Sequence, residues 1–281
     1  MSAALHTIQY EMETHMKRLI AFLASALFAM TAFAANEVAP TPKIGVVIMH
    51  GKGGTPTRHV SDLASALETK GYLVANLDMP WSAKREYDAS VNVAEAEVEA
   101  ALATLRSKGA SRVFVAGHSQ GGLFALYFAN KHVVDGIIAM APGGNVSSPI
   151  FQEKLGAAVA EARKMIADGK GNEKARFSDY EGSKGVTPVT TTAALYIDWF
   201  DPNGAMNQVT ATKNVNPRIP VLFIAPKADH PGLIRIKQEM FNALPANPLT
   251  VLYEPDATHV GAPSASIAEI IRWTTDISAR Q

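Results

Sequence analysis

The sequence predicts an α/β protein: a mostly parallel central sheet with helices on both faces. Two observations lead there. Short apolar runs rich in branched residues recur at Ile44–Met49, Tyr72–Asn76, Arg112–Ala116, Gly136–Met140, Pro220–Ala225 and Leu249–Tyr253, as expected of strands buried on both faces. Between them stand longer helical patterns at Ser61–Lys70, Val91–Lys108, Gly121–Asn130, Leu233–Leu244 and Ser264–Ser278. Strands that alternate with helices imply parallel crossovers.

The first strand follows a polar, proline-containing lead-in over residues 36–43. In the second helix Val91, Val98, Leu102 and Leu105 fall near helical spacing and leave Glu95, Glu97 and Glu99 to solvent, an ordinary helix surface rather than a metal site. From about Gly143 to Pro217 the alternation stops. A helical piece at Phe151–Asp168 precedes the Gly- and Lys-rich Asp168–Gly185 and a Thr-rich run at Thr190–Thr192, with no clear strand. A structureless loop of that length is unusual in a compact domain, so residues 143–217 are expected to form an insertion, a small cap or lid. No internal repeat is evident.

Residues 1–34 read as a leader. From Met16 the chain runs through Lys17-Arg18, an apolar stretch over 19–33 and Ala32-Phe33-Ala34, the basic region, apolar region and small-residue cleavage site of a signal peptide. Residues before Met16, with Glu11 and Glu13, do not look like part of it. The apolar run is shorter than the ~20 residues a bilayer span needs, so cleavage is expected, with no stable span afterwards and an exported domain over 35–281, periplasmic or secreted. Of the 281 residues 47% are hydrophobic, enough for one sizeable domain, and 26 basic residues balance 26 acidic ones. That balance offers no electrostatic footprint for nucleic acid; the expected partner is a small molecule. There is no cysteine, which excludes disulfides, thiolate metal sites and a cysteine nucleophile.

The chemistry-bearing motif is Gly117-His118-Ser119-Gln120-Gly121, between a strand and a helical run. It reads as a nucleophile elbow, where small residues flank a serine on a strained turn and the following helix favours negative charge. At the end of the first strand stands His50-Gly51-Lys52-Gly53-Gly54. An oxyanion needs two N–H donors, one from Gln120, after the nucleophile, and one from this loop, Lys52 with Gly53 as the alternative. No phosphate-binding glycine pattern is present. The Lys52 side chain reads as solvated surface.

A serine needs a base and an orienting acid. Asp229 follows one strand and His259 the next, in the order Ser, Asp, His. Asp256 is the alternative acid, though a turn aspartate is the simpler account of it. His230 adjoins the acid and reads as wall or surface, His118 as packing and His50 as a structural histidine of the oxyanion loop. No metal-ligand spacing appears.

Together His50–Gly54, Gly117–Gly121, Asp229 and His259 resemble the α/β-hydrolase superfamily, over about residues 43–280. The resemblance implies a serine esterase or lipase-like enzyme of exported bacterial type. It would act on esters, thioesters, amides or lactones through an acyl-enzyme, with no cofactor. The first strands of larger family members have no room between Ala35 and Ile44, so a reduced sheet is expected. Trp81 and Trp199 are the substrate-binding candidates, with Met79, Pro80, Tyr87, Tyr196, Phe200 and Met206 near them in sequence, and Arg58, Lys84 and Arg85 could receive a carboxylate. The expected function is hydrolysis of a small carboxylic ester or acyl substrate. An acyltransferase or thioesterase on the same triad, or a non-catalytic binding protein, are the alternatives.

Overall fold

The computed structural model of the protein describes residues 43–182 and 184–280, together with 12, 15 and 16. The leader expected over 1–34 therefore lies outside the described residues, apart from those three. In chain order the elements are β1 (Ile44–Met49), α1 (Ser61–Thr69), β2 (Leu73–Leu77), α2 (Val91–Ser107), β3 (Arg112–His118), α3 (Gln120–Phe128), β4 (Gly136–Met140) and α4 (Pro149–Ala167). There follow β5 (Lys174–Glu181), β6 (Gly185–Thr192), α5 (Ala193–Phe200), α6 (Gln208–Lys213), β7 (Val221–Ile224), α7 (Pro231–Asn242), β8 (Val251–Tyr253), α8 (Ala262–Ala265) and α9 (Ile267–Arg280). Among the described residues no helix is long and apolar enough to cross a membrane.

The central sheet has the order β2-β1-β3-β4-β7-β8 and every pairing is parallel. All six strands match apolar runs in the sequence; β1, β4 and β7 are buried at every position and the edge strands β2 and β8 are half-buried, and a strand covered on both faces favours apolar residues throughout. Alternate residues feed two cores. Val46, Ile48, Phe114, Ala116, Ile138 and Ile224 face α1 and α9, while Val47, Met49, Val115, Ile137, Ala139 and Phe223 face α2 and α3. Gly136 in β4 makes room for Trp273 of α9, whose ring lies 2.7 Å from where a Cβ would stand. The chain order reverses at β1, with β2 on one side and β3 on the other, which opens a crevice beyond the strands' C-terminal ends.

Between β4 and β7 the structure differs from the sequence reading. The segment holds an antiparallel hairpin, β5 against β6, in register from Lys174↔Thr192 to Glu181↔Gly185. Its buried positions are Phe177, Asp179, Val189 and Thr191, half of them polar, so the apolar alternation that marks a half-buried strand is absent. Pro188 interrupts β6, where it is tolerated because a two-stranded sheet consists of edges only. The C-terminal segment likewise divides, at Ser266, into α8 and α9.

Candidate active site

Ser119 lies at the end of β3 with φ 54° and ψ −116°, a conformation that a non-glycine residue holds only when its surroundings enforce it. Its N–H donates to Met140 O at 2.8 Å and its carbonyl accepts from Gly143 N–H at 3.1 Å. The flanking glycines are sterically required. A Cβ at 117 would stand 2.0 Å from Gly121 O, and one at 121 would stand 2.6 Å from Met49 O.

Beyond β7 and β8 the two loops run side by side. Lys227 N–H donates to Pro255 O and Ala228 N–H to Ala257 O, both at 3.0 Å, and a parallel bridge joins Ala228 to Thr258. This register sets Asp229 beside His259. His259 Nδ1 lies 2.6 Å from Asp229 Oδ1 and Nε2 lies 3.0 Å from Ser119 Oγ. Asp229 Oδ1 also accepts from the His230 N–H at 2.6 Å. A carboxylate acceptor at Nδ1 places the ring proton there, so Nε2 presents its lone pair to the hydroxyl. The arrangement can take a proton from Ser119.

Each rival residue lies elsewhere. Asp256 is exposed on its loop. His230 caps α7, its ring centroid 4.4 Å from that of His259. His50 is buried; its Nδ1–H donates to Gly51 O at 2.8 Å and its Nε2 accepts from Met79 N–H at 3.0 Å, and burial lowers its pKa. It is a neutral tie within the loop after β1. His118 donates from Nε2 to His259 O at 2.9 Å, and burial, with the charge of His259, brings its pKa down to about 3. Asp229, His230 and His259 are the described side chains that approach closely enough, within 4.8 Å, to share a metal ion, but a cation there would displace the Asp229–His259 bond.

In the loop after β1, Gly53 N–H donates to Trp81 O at 2.8 Å and Gly54 N–H to Gly51 O at 3.0 Å. Gly53 is thereby spent as an oxyanion donor. Lys52 N–H has no acceptor among the described residues, and Gln120 N–H opens α3 without an acceptor one turn earlier. The Lys52 side chain corrects the sequence reading: it is not solvated surface but points into the insertion, 13% exposed and ion-paired with Asp179 at 2.5 Å.

The substrate-binding candidates are also corrected. Trp81 and Trp199 are each 1% exposed and pack against one another and Phe124. Their indole N–H groups donate to His50 O at 2.8 Å and Ala89 O at 2.7 Å. They belong to the core, and Trp81 also ties the loop after β1 through His50 O. Met79, Tyr87, Tyr196, Phe200 and Met206 are buried likewise. The cleft over Ser119, about 770 Å³, is walled instead by Phe151, Tyr180, Pro231, Leu233, Ile236 and Val260. These were not singled out in the sequence, since α7 interleaves its apolar residues with charged ones and Tyr180 belongs to the missed hairpin. Arg58 lines the cleft, whereas Arg85 is held by Glu97 and Asp88.

Among known proteins, the chain matches the family described as Hydrolase_4, serine aminopeptidase S33, over residues 40–260. It is 26% identical over 125 residues to Esterase EstD of Thermotoga maritima, a match that covers 41% of this chain but only 30% of that relative's length. Solved structures of similar fold include the Paleococcus ferrophilus monoacylglycerol lipase, with TM-score 0.59, 20% identity and coverage of 83% of this chain and 94% of that one. Another is Est1E from Butyrivibrio proteoclasticus with bound ferulic acid, with TM-score 0.54, 14% identity and coverage of 87% and 92%. At such identities the likeness is one of fold. The family match spans most of the chain and agrees with the parallel sheet, so the chain belongs to the serine aminopeptidase S33 (Hydrolase_4) family of α/β-hydrolases.

Proposed function

We propose that this protein is a serine hydrolase that cleaves small carboxylic esters through an acyl-enzyme on Ser119. The carrying observation is the relay of Ser119 Oγ to His259 Nε2 at 3.0 Å and His259 Nδ1 to Asp229 at 2.6 Å. Oγ attacks the carbonyl carbon as its proton passes to Nε2, and Asp229 stabilises the imidazolium. The carbonyl oxygen takes up negative charge beside the backbone N–H groups of Gln120 and Lys52, donors of a kind whose single removal costs roughly 10²–10³ in kcat. Collapse expels the alcohol, which receives the proton from Nε2. Water then gives a proton to Nε2, attacks the acyl carbon and releases the acid and free Ser119.

The family description names an aminopeptidase, an activity that requires acidic recognition of an α-ammonium. The charge around the cleft favours an ester instead. Among the described lining residues Glu181 is the carboxylate, and it is paired with Lys184 at 2.9 Å, while Arg58 and Arg235 add positive charge. The similar proteins, an esterase and a lipase, point the same way. Residues 143–217 are proposed as the cap over this cleft, and residues 1–34 as a cleaved leader for export.

The test is fluorophosphonate labelling with the adduct mapped by mass spectrometry, alongside hydrolysis of a p-nitrophenyl ester and of alanine p-nitroanilide. The expected result is an adduct on Ser119, lost in His259→Ala, with ester turnover far above anilide turnover. Ester turnover that survives Ser119→Ala removes the reading, and dominant anilide turnover replaces the ester with a peptide. Intact mass of the protein recovered from the periplasm checks the leader; a start near Ala35 is expected.

A further inference from the structure

The oxyanion loop and the nucleophile elbow are both tied to the inserted hairpin through one carboxylate. Asp179 of β5 faces inward and is 5% exposed. Its Oδ1 accepts from Lys52 Nζ at 2.5 Å and from the Tyr180 N–H at 2.6 Å. Tyr87 Oη lies 3.2 Å from Asp179 Oδ2 and 3.2 Å from Gln120 Oε1, so one phenolic proton is shared between the two acceptors. Burial, with the charge of Asp179, holds the Tyr87 pKa well above the ordinary phenol value, which keeps that proton in place. Lys52 Nζ also donates to Tyr180 O at 3.1 Å and stands over the Phe151 and Phe200 rings.

The partner strand grips the same tyrosine. Thr191 Oγ1 of β6 donates to Tyr87 O at 2.9 Å, and Tyr87 is held at φ 59°, a left-handed conformation that a bulky residue keeps only under constraint. A buried ammonium–carboxylate pair is a poor source of stability, since desolvation of the two ions offsets most of their attraction. What this pair does supply is fixed position. The residues it joins, Lys52 directly and Gln120 by way of Tyr87, are the two whose backbone N–H groups face the developing oxyanion in the proposed mechanism.

We propose that Asp179 is a positioning residue for the oxyanion hole, the point through which the inserted hairpin holds both donor-bearing residues. The inference rests on the Ser119 acyl-enzyme reading. It makes the hairpin a working part of the active site as well as its cover.

The experiment compares the parent with Asp179→Asn, Lys52→Met, their double variant and Tyr87→Phe. Values of kcat and KM for a p-nitrophenyl ester are expressed per site titrated with fluorophosphonate, so that unfolded protein does not count. The Ki of a trifluoromethyl ketone, whose tetrahedral adduct carries an oxyanion, is measured beside them. Asp179→Asn and Lys52→Met are each expected to lower kcat roughly 10- to 100-fold, the scale of a misplaced group rather than a missing one. KM is expected to stay within about threefold of the parent, with Ki rising in step with the loss of kcat/KM. The double variant should fall no further than the worse single one. Unchanged kcat per site and Ki in Asp179→Asn, with only a lower unfolding midpoint, would overturn the proposal and leave the pair a packing feature. If Asp179→Asn does not fold, Lys52→Met and Tyr87→Phe decide, and unchanged values in both overturn it. A parent that fails to label at Ser119 defeats the underlying mechanism instead, an outcome distinct from a labelled parent with indifferent variants.

Discussion

At Ser119 the backbone is strained, and the strain survives because nothing around it can yield. Gly117→Ala would set a Cβ 2.0 Å from the carbonyl oxygen of Gly121 and 2.6 Å from Gly122 N, against backbone that cannot move aside. A loss of about 3 kcal/mol or more is expected, read as a shifted urea midpoint or as absence of folded protein. Asp229→Asn should leave the fold in place and lower kcat by about 10⁴, since an amide at Nδ1 favours the wrong tautomer; burst and steady-state kinetics measure it. His118 carries a pH dependence. Its folded pKa is about 3 against the ordinary 6.5 of a histidine, so between those values the unfolded chain binds the extra proton and stability rises with pH. The contribution is complete above about 6.5 and is lost as pH falls toward 3, by about 2 kcal/mol at pH 5. Urea midpoints of His118→Gln should therefore change less between pH 7 and pH 5 than those of the parent. The glycines, serine and His259 were legible in the sequence because steric and chemical necessity admit few other letters. Asp179 was not, since an aspartate in a polar hairpin looks like any solvated residue until its neighbours are known.

Helix α9 shows how an element can matter to stability and not to chemistry. Trp273 packs on Phe114 at a ring separation of 5.9 Å and donates to Leu249 O at 2.9 Å, on the sheet face with α1. Trp273→Ala is expected to cost about 3–5 kcal/mol in urea unfolding, with kcat per titrated site unchanged. The strands of the central sheet were readable as apolar runs because the inner ones are buried on both faces, which leaves few positions for a polar residue. The hairpin was unreadable for the opposite reason: Asp179 and Thr191 occupy half of its inward positions, and their partners, Lys52 and Tyr87, come from loops some ninety or more residues earlier.

Among the described residues, the sheet and both cores are built from the unit Pro42–Gln281. A chain that begins at Ala35 is expected to fold and to label at Ser119 as the full chain does, which circular dichroism and fluorophosphonate labelling would check; loss of folding would show that residues 1–34 contribute to stability. The reversal of strand order at β1 brings the ends of β1 and β3 together, so that the Lys52 loop and Ser119 meet although 67 positions separate them. The sequence by itself determined the layered α/β architecture and picked out Ser119, His259 and Asp229, which the fold brings within hydrogen-bond reach of one another. These depend on local sterics, on periodicity and on the order of residues along strands, all of which one chain displays in its letters. Only the tertiary structure decided what walls the cleft, that Trp81 and Trp199 are core, that Gly53 is spent on Trp81, and that the insertion reaches back through Asp179. Those are matters of which distant side chains share a buried space, and the energy of a buried contact depends on its partners, which no single stretch of sequence contains.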